Sequence, residues 1–214
     1  MGSVTPKTLL ILASASPRRR ELMRAVGVPF RVVPSRVEEA PLPGERPLRF
    51  VRRAARDKGE EVASRHAAAF VLSADTIVVV KGRILGKPAD RDEGRRMLSM
   101  LAGREHLVHT AACLIRAEDG YRDDLCVTTR VRFRPLTQEE IAAYLRTGES
   151  DDKAGAYAAQ GAGNLLIDRI SGSFTNVVGL PMTQTLEMLK RAGLLAVSGK
   201  GSGWYAFAGR KAVK

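Results

Sequence analysis

Cysteine and aromatic side chains are scarce in this chain. Its two cysteines, Cys113 and Cys126, lie in strand-like segments and lack the spacing of a metal-ligand motif. Aromatic residues make up 5% of the sequence, and no zinc-finger or RNA-recognition signature is present. These shortages argue against a zinc-binding protein and disfavour a nucleic-acid-binding one. Two thiols without a pairing pattern favour a reduced, cytoplasmic protein.

Long apolar segments are also missing. No run reaches the ~18 residues that a membrane span requires. Residues 1–14 carry one lysine and a short apolar stretch that leads into Arg-rich sequence, unlike a cleavable signal peptide. We therefore expect no membrane partner and, because 214 residues can bury a proper core, one compact unit.

Acidic residues are absent from the end of the chain. From Lys190 to the last residue there are six basic side chains and no acidic one, and residues 198–203 (SGKGSG) have linker composition. We predict one domain over residues 1–197 and a basic, glycine-rich tail over residues 198–214. The whole chain has a net charge of +12, which favours an anionic partner but does not distinguish a phosphorylated substrate from a nucleic acid.

Asp75 interrupts an otherwise nearly apolar run, Phe70–Val80. Removing an unpaired carboxylate from water costs more free energy than a marginally stable fold can usually supply. Asp75 must therefore face cations, a metal or a lined cleft, unless it only starts a turn or forms a structural ion pair. Lys81, Arg83 and Lys87 follow within twelve residues. The hypothesis that the protein is a basic nucleic-acid-binding module explains the net charge but not this carboxylate.

Apolar runs alternate with amphipathic segments, which predicts an α/β fold. The expected strands span residues 8–13, 30–33, 70–80, 83–85, 106–117, 123–133 and 164–170. The expected helices begin at Pro17, after the N-cap Ser16, and span residues 46–69, 92–101, 138–146 and 183–192. Lys58 falls on the apolar stripe of the second helix, so it either points inward or snorkels out from the edge of the stripe.

Two adjacent arginines, Arg18 and Arg19, occupy the first turn of the first expected helix. They offer fork-like donors beside free backbone amides, which suits phosphate oxygens. A solvated basic face is the alternative. With Ser14, Lys58, Asp75, Lys87 and Gln160, they lie nearly all at strand ends or on inward faces, where α/β proteins place ligand sites.

Three blocks carry a family resemblance: LASASPRRRELM, SADTIVVVKGRILGKP and DKAGAYAAQGAGNLLIDRISGSFTNVVGLP. In this order, over about residues 8–192, they resemble the signature blocks of the Maf family of nucleoside triphosphate pyrophosphatases. The resemblance implies a mixed, curved central sheet flanked by helices, as in the inosine triphosphate pyrophosphatases, with two lobes and a cleft. It also implies a cytoplasmic, often dimeric, metal-dependent enzyme that cleaves a nucleoside triphosphate between its α and β phosphates.

The same resemblance implies roles for individual residues. Asp75 matches the family's proton acceptor, and Glu39 matches the acidic residue that helps hold metal or water, although Glu38 competes for that alignment. Ser14, Arg18, Arg19, Lys58 and Lys87 match positions that bind the substrate. Arg18, Thr76 and Gln160 match positions of base selection. The AQG wording around Gln160 resembles the branch that acts on dTTP and UTP, whereas the 7-methyl-GTP branch usually has Glu there.

Physical chemistry agrees with such a site. Basic side chains can neutralise a triphosphate while Mg²⁺, Mn²⁺ or Co²⁺ bridges phosphate and carboxylate oxygens. Asp75 starts from a pKa near ~3.9, and surrounding cations make it a weak base, so we expect it to hold the metal or orient metal-activated water. Gln160 offers a donor and an acceptor, the pattern that reads the O4 and N3–H edge of thymine or uracil. Modified purine nucleotides remain an alternative substrate class.

Overall fold

A seven-stranded mixed sheet forms the centre of the molecule, whose computed structural model describes residues 9–197 and 205–207. The strand order is β2-β1-β3-β5-β6-β7, with β4 added on β3; β1 pairs in parallel with β2 and β3, and the other neighbours are antiparallel. The strands are β1 (Leu10–Leu12), β2 (Arg31–Val32), β3 (Phe70–Val80), β4 (Arg83–Leu85), β5 (Glu105–Arg116), β6 (Tyr121–Phe133) and β7 (Ile167–Ser171). The helices are α1 (Pro17–Ala25), α2 (Pro47–Ser64), α3 (Arg91–Leu101), α4 (Gln138–Leu145), α5 (Phe174–Val178) and α6 (Met182–Arg191).

β3 is covered on both faces, which explains its nearly continuous apolar sequence. Ile77 and Val79 pack with α2, whereas Val78 and Val80 pack in the cluster that contains α3 and α4. Side chains alternate along a strand, so Asp75 shares the α2 face with Ile77. Thr76 lies on the opposite face.

The outer edge of β3 has a gap at its middle. β1 pairs with β3 as far as Leu72, and β4 begins its pairing at Val78. Between these positions, β3 has a strand neighbour only on the β5 side within the described part of the chain. The gap leaves Asp75 and Thr76 beside an opening in the sheet.

The expected mixed α/β fold, with helices flanking a central sheet, is confirmed. The predicted helix over residues 138–146 is present as α4, which opens with a capping box of Thr137 and Glu140. The seventh strand was predicted too early: it begins at Ile167, because residues 161–166 form a 3₁₀ helix. The short α5 was missed. The division into two lobes stays a prediction.

Part of the predicted tail has regular structure. A strand, β9 (Tyr205–Phe207), pairs antiparallel with β8 (Leu195–Val197) in a small second sheet. The other residues of the predicted tail, 198–204 and 208–214, lie outside the described residues. The boundary between domain and tail therefore stays a prediction. Across the described ranges, none of the helices is both long and apolar enough to cross a membrane.

His106 on β5 makes the fold sensitive to acid. Its side chain is 2% exposed, its Nε2 lies 2.8 Å from the Tyr157 hydroxyl, and burial lowers its pKa to about 4. The unfolded chain has a His pKa of ~6.5, so unfolding takes up a proton as the pH falls between these values. We expect this residue alone to lower the free energy of unfolding by about 3 kcal/mol from pH 7 to pH 4.

Denaturant unfolding of the wild type and of His106→Gln at both pH values measures this contribution. The variant has no titrating ring, so it should lose less stability on acidification than the wild type. Equal losses in the two proteins would contradict the assignment to His106.

Candidate active site

A cavity of about 780 Å³ opens at the gap in the sheet. It is lined by eight of the nine predicted site residues: Ser14, Arg18, Arg19, Glu39, Lys58, Asp75, Thr76 and Lys87. The ninth, Gln160, is exposed and lies outside this lining. The fold thus gathers residues from the β1–α1 turn, the first turn of α1, the β2–α2 connection, α2, β3 and the segment after β4.

A lysine bridges two carboxylates in the cavity. The Lys58 ammonium lies 2.8 Å from Asp75 Oδ1 and 2.6 Å from Glu39 Oε1. Asp75 and Lys58 are 4% and 6% exposed, whereas the Glu39 side chain is 39% exposed at the edge of the cavity. Lys58 therefore points inward, as the helical spacing allowed, and Asp75 has the cationic partner that its burial requires.

The charge state of Asp75 follows from these contacts. Burial alone raises the pKa of its carboxyl, but the charge and hydrogen bond of Lys58 and the charge of Arg19 outweigh burial, so the pKa lies below its usual value. Asp75 is therefore an anion at neutral pH. A group of such low basicity is suited to holding a cation or orienting water rather than to storing a proton.

Nearly all hydrogen-bond donors of the Arg19 guanidinium have acceptors within the protein. Its Nε donates to the Gly179 carbonyl at 2.7 Å, and one terminal nitrogen donates to Ser14 Oγ at 3.2 Å and to the Ala74 carbonyl at 2.8 Å. The other terminal nitrogen donates to Thr76 Oγ1 at 3.0 Å. Four of the five N–H groups are thus engaged, and Arg19 joins three chain segments around the cavity.

Three other cations, Arg18, Lys87 and Lys153, line the cavity. Lys153 pairs with Asp152, and the family motifs did not point to it although it lies in the DKAGAY block. Burial lowers the pKa of Lys153, and the charge of Arg18 lowers it further. A ligand with several negative charges would relieve the repulsion between these groups.

The donor set fits a divalent cation only in part. Within residues 9–197 and 205–207, no group of three or more His, Cys, Asp or Glu side chains is placed to hold a metal. Asp75 and Glu39 supply two carboxylates, which lie close together because both contact the Lys58 ammonium. Mg²⁺ commonly takes one or two carboxylates and completes its shell with water and substrate phosphates. The residues therefore fit a metal that arrives with a phosphorylated substrate.

Gln160 lies in a loop whose backbone is held by hydrogen bonds to side chains both before and after it in the sequence. The Tyr144 hydroxyl accepts from the Ala158 amide at 3.0 Å before it. After it, the Glu149 carboxylate accepts from the Ala162 and Gly163 amides at 3.0 and 3.1 Å. Sequence reasoning missed Tyr144 and Glu149, because both act through tertiary contacts. The base-reading role of Gln160 stays a prediction.

Comparison with known proteins agrees with this arrangement. The family model described as Maf-like protein matches residues 9–192. A protein of Syntrophus aciditrophicus (strain SB) named dTTP/UTP pyrophosphatase is 46% identical over 89% of this chain and 93% of its own length. Proteins of the same name from Myxococcus xanthus (strain DK1622) and Geobacter sulfurreducens are 47% and 49% identical over 88% of this chain, and over 94% and 99% of their own lengths.

The family match spans every residue that lines the cavity, from Ala13 to Gly179. Identity of 46% to 49% over most of both chains leaves no large part of these relatives uncovered. The buried ion pair, the bound arginine and the cation cluster all lie inside the matched region. The chain belongs to the Maf-like protein family.

Proposed function

We propose that this protein hydrolyses dTTP and UTP to the nucleoside monophosphate and pyrophosphate. The observation that carries the proposal is the cavity itself, in which the Asp75–Lys58–Glu39 cluster and the cations Arg18, Lys87 and Lys153 lie together. Relatives that cover most of the chain bear the name dTTP/UTP pyrophosphatase. Neither observation favours 7-methyl-GTP, other modified purines or a nucleic acid as the ligand.

The cavity residues divide the task by their charge. Arg18, Lys87 and Lys153 neutralise the triphosphate and its pyrophosphate product. Asp75 and Glu39 would hold a divalent cation, Mg²⁺, Mn²⁺ or Co²⁺, which would supply Lewis-acid activation of water and phosphate oxygens. Asp75 orients the attacking water, and Lys58 keeps the two carboxylates in place. A homodimer and a cytoplasmic location are further proposals, supported by the family resemblance.

A pyrophosphate-release assay tests the function directly. We expect release from dTTP and UTP in the presence of Mg²⁺, Mn²⁺ or Co²⁺, weaker release from GTP and 7-methyl-GTP, and none in excess EDTA. Catalysis through metal-activated water should also make the rate rise toward alkaline pH. If no nucleotide gave pyrophosphate, the proposed function would be wrong and a basic nucleic-acid-binding module would be the remaining hypothesis. Full activity in excess EDTA would show that hydrolysis does not require a metal.

Gln160→Glu tests the predicted reading of the base. An ionised carboxylate cannot donate to the O4 of thymine or uracil, so we expect kcat/KM for dTTP and UTP to fall about tenfold. The guanine edge of GTP presents hydrogen-bond donors, so kcat/KM for GTP should fall less. Gln138→Glu, an exposed glutamine on α4 outside the cavity lining, is the matched control. An unchanged ratio of dTTP to GTP activity would show that Gln160 does not read the base.

A further inference from the structure

The β2–α2 connection, residues 33–46, brings Glu39 to the cavity without a helix or strand of its own. Between residues 34 and 45, the described part of the chain contains one backbone-to-backbone hydrogen bond, the 2.9 Å contact of a turn between Leu42 and Glu45. The backbone of this connection is therefore not fixed by the sheet or by a helix. Contacts with side chains must determine where Glu39 lies.

The connection runs antiparallel to α2 and meets it at three successive points. Near the end of the helix, the Glu61 carboxylate accepts from the Arg36 amide at 3.3 Å. One turn earlier on the helix, the Lys58 ammonium lies 2.6 Å from Glu39 Oε1. Nearer its start, Arg53 donates to the backbone carbonyl of the residue that follows Glu39 at 3.0 Å. Glu39 is thus held between two contacts with the same helix.

The Arg53 guanidinium makes the largest number of these contacts. Its Nε and one terminal nitrogen donate to the two oxygens of Glu45 at 2.8 and 2.7 Å. The same terminal nitrogen donates to the Ala40 carbonyl, and the other one donates to Asp57 at 3.2 Å. The guanidinium also lies over the Phe50 ring, 5.6 Å from its centroid. Its own helix therefore fixes the group that binds the connection.

The contact between Arg53 and Glu45 is charged and geometrically specific. Glu45 Oε2 also accepts from the Leu42 amide at 2.9 Å, so one carboxylate joins Arg53 to the turn. The hydrogen bond from Arg53 lowers the pKa of Glu45 to about 2, which keeps both partners charged at any pH used for an enzyme assay. Two parallel hydrogen bonds between a guanidinium and a carboxylate fix orientation as well as distance.

The position of Glu39 follows from this contact. Ala40 comes directly after Glu39, so a fixed Ala40 carbonyl restricts the Glu39 backbone as well. Without Arg53, the connection would keep the ion pair between Lys58 and Glu39, whose side chain is 39% exposed. An ion pair with a partly exposed carboxylate offsets little of the entropy cost of ordering a segment.

We infer that Arg53 is a positioning residue, which holds the β2–α2 connection along α2 so that the Glu39 carboxylate reaches the Lys58–Asp75 pair. The inference rests on the proposed function, in which Glu39 helps to hold a divalent cation. Arg53 lies outside the cavity lining and has no contact with the substrate in this assignment. None of the sequence motifs pointed to it.

The first test compares pyrophosphate release from UTP by the wild type and by Arg53→Met at saturating metal. Methionine keeps an unbranched side chain but has no donor for Glu45 or Ala40. We expect kcat to fall about tenfold, because a catalytic carboxylate would no longer be held in place. KM for UTP should change less than twofold, because Arg18, Lys87 and Lys153 do not belong to the connection. Glu45→Met removes the other partner and should give a similar loss.

A double-mutant cycle with Glu39→Gln shows whether Arg53 acts through Glu39. Two residues that act independently would lower kcat by factors that multiply in the double variant. A residue that only positions Glu39 has nothing left to position once that carboxylate is gone. We therefore expect Arg53→Met to lower kcat less than twofold further in the Glu39→Gln protein.

Hydrogen–deuterium exchange measures the same contact without nucleotide or metal. Peptides that span residues 36–45 should exchange faster in Arg53→Met and in Glu45→Met than in the wild type. Arg116→Met is the matched control, since Arg116 also donates twice to one carboxylate, that of Asp119, and lies over the ring of Phe70. It lies outside the cavity lining, so its loss should leave kcat and the exchange of residues 36–45 unchanged.

The inference is wrong if folded Arg53→Met keeps kcat within twofold of the wild type, if the losses multiply in the double variant, or if exchange of residues 36–45 is unchanged. Should Arg53→Met fail to fold, Glu45→Met takes its place in all three measurements. If the wild type hydrolyses neither dTTP nor UTP, the proposed function fails. Exchange alone then decides whether Arg53 holds the connection.

Discussion

Asp75→Asn should lower kcat for dTTP and UTP by at least about a thousandfold and leave a folded protein. The amide keeps the size of the carboxylate but not its charge, so it can neither hold a divalent cation nor orient a water molecule as an anion does. Lys58 would still have Glu39 as a partner at 2.6 Å, so the cluster keeps one of its ion pairs. Pyrophosphate release under saturating nucleotide and metal measures the effect.

Asp168→Asn is the control for this substitution. Asp168 is an exposed carboxylate on β7 that pairs with Arg132 at 3.5 Å, and it lies outside the cavity lining. Its loss should leave kcat within about twofold, because exposed ion pairs contribute little. Thermal unfolding of both variants shows whether they are folded. Turnover by Asp75→Asn close to that of the wild type would rule out a catalytic role for this carboxylate.

The sequence was most informative where one residue contradicted its local pattern. A carboxylate inside an apolar strand and a lysine on the apolar stripe of a helix each required a partner. The structure shows that Asp75 and Lys58 are the partners of one another. Burial costs of this kind can be read from a single sequence, because they depend only on which face of an element a residue occupies.

The difference between the two arginines could not be read in the same way. Arg18 and Arg19 are neighbours of identical chemistry, and both match positions that bind the substrate. Only the folded chain shows that Arg19 donates three N–H groups to Gly179, Ala74 and Thr76, which are distant in sequence, and a fourth to the nearby Ser14. Glu149 was missed for the same reason, since it acts on the backbone amides of Ala162 and Gly163, which only the fold brings near.

Lys58→Met should lower kcat about a hundredfold at pH 7 and give turnover a steeper dependence on pH. The Lys58 ammonium is the main group that holds the pKa of Asp75 below its usual value against the effect of burial. Without it, burial dominates and the pKa of Asp75 rises. Because the active form is the anion, turnover should then be lost as the pH falls through the raised pKa and recover toward alkaline pH.

The measurement is kcat at pH 6 and pH 8 for the wild type, Lys58→Met and Lys58→Arg. In the wild type Asp75 stays ionised at both values, so any rise in rate between them comes from other groups. The ratio of kcat at pH 8 to kcat at pH 6 should be larger in Lys58→Met than in the wild type. Lys58→Arg keeps the positive charge and should keep the wild-type ratio. Lys190→Met, which removes a half-buried lysine that pairs with Glu187 outside the cavity lining, controls for the loss of a positive charge. A Lys58→Met protein whose rates at pH 6 and pH 8 have the wild-type ratio would show that Lys58 does not control the ionisation of Asp75.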